Sequence, residues 1–482
     1  MPEKESPKTL VMKFGGTSLG SANAMASACQ IVREQRGAWA RLVVVASALS
    51  GVTDILLDAA ARAAAGDIST LAAAEASIKQ GHEAIARERV ADPLRQEQVR
   101  QEIGHLVRSF SDLCRAIAVL GEATPRALDA VASLGERMSV RLLATALEDA
   151  GIEARFVEAT QLIVTDDRFQ SAHPDFEATS SRVRATLEPL FDRGFVPIVT
   201  GFIAATPQGV VTTLGRGGSD FTAAILGAAL PADEVWIWTD VDGVMTADPR
   251  LVPQARTLPE ITYSELAELA YYGAKVLHPR TIRPVVEAGI RLRICNTFNP
   301  AHPGTRLVPN KPAAVPYGGR VIKAVTAIRR QRLVTIEGRG MLGVPGVAAR
   351  AFAAVASTGT SVPLITQASS EQSICFAIPD EAAGRVLAAL EASFALELAQ
   401  RDIDRVWATE EVAIITAVGA GARNTPGIAG QIFGQLGRDK INVLAIAHGS
   451  SDVSVSMVVA SAETEAAVRA LHELIVAEGA SS

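Results

Sequence analysis

The chain reads as an α/β protein in two parts, a large layered sheet with crossover helices followed by two copies of a smaller module. Three observations predict this. Short β-rich runs alternate with helical stretches over residues 9–47 and again over 150–300, the pattern of a sheet with crossover helices. A stretch dense in Pro and Gly, 299–319, marks the main boundary. Beyond it, "GVPGVAARAFAAVASTGTSVPLITQASSEQSICFAI" matches "NTPGIAGQIFGQLGRDKINVLAIAHGSSDVSVSMVV" without a gap. Pro345 pairs with Pro426, Phe352 with Phe433, Ile365 with Ile446 and Ser373 with Ser454, each 81 residues apart. One offset held through helix and strands marks two copies of one unit.

At 482 residues the chain is too long for one core, and the length prior gives two to four domains. Hydrophobic residues at 48% and charged residues at 20% are the ordinary balance of a globular chain. A net charge of −6 and a pI near 5.8 argue against a nucleic-acid or anionic-membrane partner. "MPEKESPKTL" reads as a frayed tail rather than an apolar leader, and no apolar run is long enough to span a bilayer. The expectation is a cytoplasmic protein with no membrane or nucleic-acid partner. Cys29, Cys114, Cys295 and Cys375 are scattered with no CxxC pair, so no zinc site, other metal site or disulfide framework is expected.

In chain order, "TLVMKF" predicts a strand, followed by a Gly-Gly turn, a helix with apolar positions three to four apart, and a second strand, "RLVVVAS". Residues 52–121 are rich in Ala, Glu, Gln and Arg and predict a helical subdomain. "EARFVEA", "VPIVTGFI", "GVVTTLG", "EVWIWTD" and "IRLRICN" are then short β-rich runs bounded by Gly, Pro or Asp. Each C-terminal copy reads strand, Pro-Gly at a helix start, helix, strand, polar turn, strand, helix, with the proline where a missing N–H costs nothing. "RDIDRVWATE" gives the first copy a further strand; "RVIKAVTAI", ahead of that copy, would give the second copy its missing edge. The boundaries expected are 1–305 for the large part, 306–330 for a linker plus that edge strand, and 331–409 and 410–482 for the two modules.

Four motifs carry chemistry. "KFGGTS" places Lys13 at a strand end before Gly15 and Gly16, whose close backbone approach and N–H groups suit phosphate oxygens. An ordinary strand-to-helix turn with a surface lysine is the other reading, and the lysine precedes the glycines, so this is not a Walker A loop. "TTLGRGGSD" sets Arg216, Ser219 and Asp220 at a helix start. Arg216 offers a planar fork for a carboxylate, and Asp220 either caps the helix, holds lysines around a transferring phosphoryl group, or does both. "IWTDVDGVMTADPR" ends a strand in Thr239-Asp240 and runs on to Arg250, the kind of strand-end loop where nucleotides bind, though Asp-Gly and Asp-Pro are also common turns. "YYGAKVLHPR" carries Lys275 and His278, the latter read as a structural or capping histidine.

Together with "GERMS" (135–139), "TDDRF" (165–169) and "TGFI" (200–203), these motifs occur in the order found in aspartate kinases, of the amino acid kinase superfamily. The chain resembles that family from Thr9 onward, and its C-terminal repeat resembles the family's paired ACT domains. The resemblance implies an amino-acid-kinase-like α/β/α sandwich followed by two ferredoxin-like βαββαβ ACT modules. It implies transfer of the γ-phosphoryl group of ATP, with Mg²⁺, to L-aspartate, the first step toward the aspartate-family amino acids. On that resemblance Lys13, Gly15, Gly16 and Lys275 surround the phosphates, with Lys13, Asp220 and Lys275 catalytic. Ser47, Thr53, Glu136, Phe202, Arg216 and Ser219 line the aspartate pocket, and Thr239, Asp240, Arg250 and Val276 border the nucleotide. Arg216 would pair with the α-carboxylate and Glu136 with the α-ammonium, favouring a free amino acid. The acceptor carboxylate is ionised at neutral pH and needs no general base.

The resemblance of the repeat to paired ACT domains implies feedback control by an amino acid, the other reading being a dimerisation platform alone, with a homodimer or larger assembly through the modules. "LITQASSEQSICFAI" and "AIAHGSSDVSVSMVV" look closest to the regulatory region of aspartate kinase–homoserine dehydrogenase proteins, with Gln367 and His448 as effector residues, although His448 stands where that subgroup has glutamine. Threonine is the expected effector and lysine the alternative. The chain ends at Ser482, where those proteins continue into a dehydrogenase half, and the expectation is a monofunctional kinase. Competing readings are another carboxylate kinase of the same fold, and an inactive amino-acid sensor.

Overall fold

A computed structural model gives the fold and describes residues 7–274, 277–310, 321–341, 344–367, 372–448 and 451–476. The chain divides into two compact units. The first holds residues 1–244, 259–263 and 276–309, and the second holds 245–258, 264–275 and 310–482. The sequence-derived boundary at 305 differs from this division at 245–258 and 264–275. The side chains explain the difference: Ala247 and Val252 pack into a core with Ile415, Met457 and Leu471.

The first unit is built on ten strands: β1 Thr9–Phe14, β2 Arg41–Ala46, β3 Ala154–Val157, β4 Val196–Thr200, β5 Ile203–Ala205, β6 Val211–Thr213, β7 Glu234–Thr239, β8 Glu260–Thr262, β9 Arg291–Asn296 and β10 Thr305–Val308. Eight of them form one sheet in the order β3-β4-β2-β1-β7-β9-β10-β8. The pairs from β3 to β9 are parallel, and β10 runs antiparallel to β9. β1, β2 and β4 are almost wholly buried, which is why they read as continuous apolar runs rather than alternating ones. Helices Ala22–Ala38 and Pro125–Asp149 pack on β2, while Phe176–Asp192, Gly218–Ala229 and Pro279–Glu287 pack as a second group, the middle one against β1 and β7. The helical subdomain consists of Val52–Ala64, Leu71–Arg89 and Pro93–Leu120, docked on the long helix Pro125–Asp149. β10 lies inside the Pro- and Gly-rich stretch read as a boundary, where Gly304 (φ 69°) turns the chain onto β9.

This topology positions a site. From β1 the chain steps to β2 on one side, whereas β7 and β9 extend the sheet on the other, so β1/β7 is a strand-order switch point. Ligands of open α/β sheets bind outside the carboxyl ends of the strands at such a point. Lys13 is the penultimate residue of β1, Ser47 follows β2, Phe202 follows β4, and Thr239 ends β7.

The second unit contains β11 Ala324–Glu337, β12 Leu364–Gln367, β13 Ser373–Pro379, β14 Arg405–Ala408, β15 Val412–Val418, β16 Ala445–Ala447 and β17 Ser454–Ala460. The 81-residue offset reappears in space. Helix Val347–Ser357 has its counterpart in Ile428–Arg438, β12 in β16, β13 in β17, and Ala383–Ser393 in Thr464–Val476. β11 serves both copies: residues 331–337 pair with β13 and 334–337 with β14, whereas 324–328 pair with β15. The first copy is thereby a four-stranded βαββαβ sheet, and the second, βαββα in chain order, takes its fourth strand from the start of β11. Pro345 and Pro426 do not occupy the first helical position as expected. The N-caps are Gly346 (φ 92°) and Gly427 (φ 85°), so each proline precedes its cap and stiffens the approach to a left-handed turn.

Candidate active site

A cavity of about 430 Å³ opens at the carboxyl ends of the strands in the first unit. Of the residues singled out from sequence, Lys13, Ser47, Thr53, Glu136, Phe202, Arg216, Ser219 and Asp220 all line it. They arrive from far apart: the end of β1, the loop after β2, the first turn of Val52–Ala64, the middle of Pro125–Asp149, and the loop into Gly218–Ala229.

Local backbone geometry explains the glycines. Gly215 (φ 76°) and Gly217 (φ 71°) sit in the left-handed region on either side of Arg216, and Gly217 is the N-cap of Gly218–Ala229. A side chain on Gly201 would put Cβ 2.5 Å from Ser219 Oγ, and one on Gly16 would put Cβ 2.9 Å from the Ala48 carbonyl. These contacts need glycine, because they press the β4 loop onto the Arg216 loop and the β1 turn onto residues 47–50. The Gly15 N–H donates to the Trp238 carbonyl at 3.2 Å, which ties β1 to β7.

Two charge constellations dominate the cavity. Lys13 Nζ lies 2.6 Å from Asp220 Oδ1, both side chains little exposed at 12% and 13%. Asp220 is in the first turn of its helix but makes no capping bond, since the cap is Gly217; its partner is the lysine. Glu136 is 3% exposed. Its Oε1 accepts the Ala48 N–H at 3.3 Å, while Oε2 is buried with no hydrogen-bond partner. Burial pushes this carboxyl up to about 8. Arg216 is exposed at the mouth. A buried carboxyl lacking a cation, an exposed guanidinium and a lysine–aspartate pair therefore share one small space.

Sequence reading missed several lining residues: Leu57, Leu128, Asp129, Ala132, Gln170 and Thr213. Asp129, Ala132 and Glu136 recur at helical spacing on Pro125–Asp149, so the face carrying Glu136 was a signal available in advance. Asp129 is 1% exposed; burial raises its carboxyl against the pull of hydrogen bonds from Gln170 and Thr213.

Thr239, Asp240 and Arg250 are not among the residues lining this cavity. Thr239 ends β7 and its hydroxyl donates to the side chain of the exposed Asp240 at 3.1 Å. Arg250 belongs to the second unit, where it pairs with Asp248 at 2.6 Å. Lys275 and Val276 lie outside the described residues. His278 caps helix Pro279–Glu287, its Nδ1 accepting the Arg280 N–H at 3.3 Å, in keeping with its structural reading. In the second unit Gln367 lines a cavity of about 370 Å³ with Met341, Val344, Pro345 and Ile374, and His448 is exposed just past β16.

Comparison with known proteins accords with this geometry. The amino acid kinase family profile matches residues 8–296, and an ACT domain profile matches 334–394 and 415–474. An aspartokinase of Schizosaccharomyces pombe is 33% identical over 492 residues, covering 96% of this chain and 91% of that protein. The bifunctional aspartokinase/homoserine dehydrogenase 2 of Arabidopsis thaliana, a chloroplast protein, is 37% identical over 471 residues, which are 96% of this chain and 50% of that one. The chain thus spans about half the length of the bifunctional relatives it matches. Among solved structures, Escherichia coli aspartokinase III in complex with aspartate and ADP superposes with a TM-score of 0.79 at 31% identity, over 97% of this chain and 100% of that one. The same enzyme with lysine and aspartate gives 0.77 at 33%, over 96% and 99%. Fold and site define an amino acid kinase with ACT domains. Within that class, the chain belongs to the aspartokinase family.

Proposed function

We propose that the chain transfers the γ-phosphoryl group of ATP to the β-carboxylate of L-aspartate, giving ADP and 4-phospho-L-aspartate. The observation that carries this reading is Glu136, a buried carboxyl with one oxygen unpartnered, in the same cavity as Arg216 and the Lys13–Asp220 pair. A free amino acid supplies what that arrangement lacks: its ammonium answers Glu136 and its α-carboxylate answers Arg216, leaving the β-carboxylate toward Lys13. A carboxylate oxygen then forms the new P–O bond as the bond to the β,γ-bridging oxygen breaks, and ADP leaves with that electron pair. The nucleophile is already ionised, so the protein's task is to offset negative charge on the moving phosphoryl group. Lys13 serves this, held in place by Asp220; Lys275 is assigned the same task on family resemblance. Gly15, Gly16, Thr239, Asp240, Arg250 and Val276 are assigned to the nucleotide on the same ground.

Mg²⁺ is assigned to the nucleotide substrate, held by its phosphate oxygens, as is usual for this reluctantly dehydrated ion. Among the described residues no helix is long and apolar enough to cross a membrane.

The ACT modules, taken as 331–409 and 410–482 with β11 shared, are proposed to bind an amino-acid effector near Gln367 and His448. Lysine gains support from its presence in the aspartokinase III complex, and threonine from the likeness to the bifunctional relatives. A homodimer through these modules is supported by Ile365 and Ile446, exposed on strands β12 and β16 at the two ends of the sheet. The test is ADP release coupled to NADH oxidation, with aspartate, glutamate and N-acetylglutamate as acceptors, each with and without threonine and lysine. Aspartate-specific turnover is expected; turnover with N-acetylglutamate and none with aspartate overturns the reading.

A further inference from the structure

Three segments far apart in sequence meet at one side chain on the cavity wall. Asp129, in the second turn of Pro125–Asp149, accepts the Thr213 N–H at 2.9 Å and the Thr213 hydroxyl at 2.8 Å. It also accepts the Gln170 N–H, at 3.1 Å to Oδ1 and 3.0 Å to Oδ2. With both oxygens engaged, it has little left for a ligand. What it grips is the base of the arginine loop. Thr213 ends β6, Leu214 donates its N–H to the Phe202 carbonyl at 2.9 Å, and Gly215 and Arg216 follow at once. From the other side, the Gln170 carbonyl would lie 3.0 Å from a Cβ on Gly215. Gln170 itself is held at φ 69°, which a non-glycine residue adopts only where its surroundings impose it.

We propose that Asp129 is a positioning residue for amino-acid binding, fixing the height and direction of Arg216 by clamping Thr213 and Gln170 to the helix that also carries Glu136. This rests on the reading of Arg216 as the α-carboxylate partner. The helix is thereby a ruler. Asp129 and Glu136 lie on one face seven residues apart, about two turns or ~10 Å along the axis, and the two charges that grip the amino acid are both referenced to it. Loosening one end misplaces the guanidinium while leaving Lys13 and Asp220, on other elements, where they are.

The test is a double-mutant cycle of Asp129→Asn and Arg216→Ala, reading KM for aspartate, KM for ATP, kcat and melting temperature. Asparagine is nearly isosteric but turns an NH₂ toward donors that need an acceptor. Asp129→Asn is expected to raise KM for aspartate tenfold or more, with kcat and KM for ATP within twofold of the parent. In the Arg216→Ala background the same change should move KM for aspartate less than twofold, because the group it positions is gone. An equal factor in both backgrounds, or no change in the parent, overturns the proposal. Should Asp129→Asn not fold, Thr213→Val removes the hydroxyl donor alone and takes its place in the same cycle, with the same two overturning outcomes. Unaltered KM in the single Arg216→Ala variant would sink the substrate reading and the proposal with it, and is seen separately from any effect at Asp129.

Discussion

Glu136→Gln separates a substrate-binding carboxylate from a merely buried one. Burial holds the folded carboxyl at about 8 against an ordinary value of 4.5. Because the folded value is the higher, the fold favours the protonated form. Its contribution to stability is full below about pH 4.5 and is lost as pH rises through about 8. At 1.36 kcal/mol per unit, the 2.5 units between 4.5 and pH 7 correspond to roughly 3 kcal/mol. A neutral glutamine is spared that loss but leaves an amide poorly paired, at about 1–3 kcal/mol. The net change at one pH is therefore small, and the informative quantity is the slope: the variant should gain on the parent in melting temperature from pH 5 to pH 8. Binding should move the other way. Removing one partner of a buried ion pair costs about 3–5 kcal/mol, so KM for aspartate should rise by roughly two to four orders of magnitude. An ammonium arriving beside Glu136 at pH 7 should also expel close to one proton, about 0.9 from the same titration, measurable by calorimetry in two buffers of different ionisation enthalpy. The reasoning is refuted by a variant whose KM for aspartate stays within threefold of the parent, or whose melting-temperature difference is flat from pH 5 to 8.

Two further substitutions probe the rest of the cavity. Lys13→Ala should lower kcat by about two to three orders of magnitude while moving KM for aspartate much less. It should also lower the melting temperature, because the Asp220 carboxylate loses the partner 2.6 Å away; steady-state kinetics beside thermal denaturation reads both. Gly201→Ala would force Cβ to 2.5 Å from Ser219 Oγ, and relief of that overlap should cost about 1–3 kcal/mol in chemical denaturation and raise KM for aspartate.

Much of this arrangement was legible because it is local or periodic. β1 and β2 announce themselves as unbroken apolar runs, being buried on both faces. The repeat survives as a fixed offset because each copy folds through the same contacts. Six of the eight predicted cavity residues fell within recognisable short motifs. What escaped is long-range. Asp129 reaches Gln170 across 41 residues and Thr213 across 84, and nothing near any of the three signals the others. The Gly15 N–H meets the Trp238 carbonyl only because strand pairing brings β7 alongside β1. The partition of 245–258 was hidden for the same reason: within the second unit Thr246 Oγ1 meets the buried His472 Nε2 at 2.9 Å, 226 positions away. β10 is four residues long in a Pro- and Gly-rich setting, too short to show a period.

The central claim is that this cavity phosphorylates the side-chain carboxylate of a free amino acid. An acyl phosphate is the expected product, and hydroxylamine converts it to a hydroxamate detectable by its iron complex. Aspartate hydroxamate should form in proportion to ADP with aspartate, ATP and Mg²⁺ present, fall by two orders of magnitude or more in Glu136→Gln at low aspartate, and not form with N-acetylaspartate. Hydroxamate of equal yield from N-acetylaspartate, or ADP release from aspartate without any hydroxamate, would contradict it.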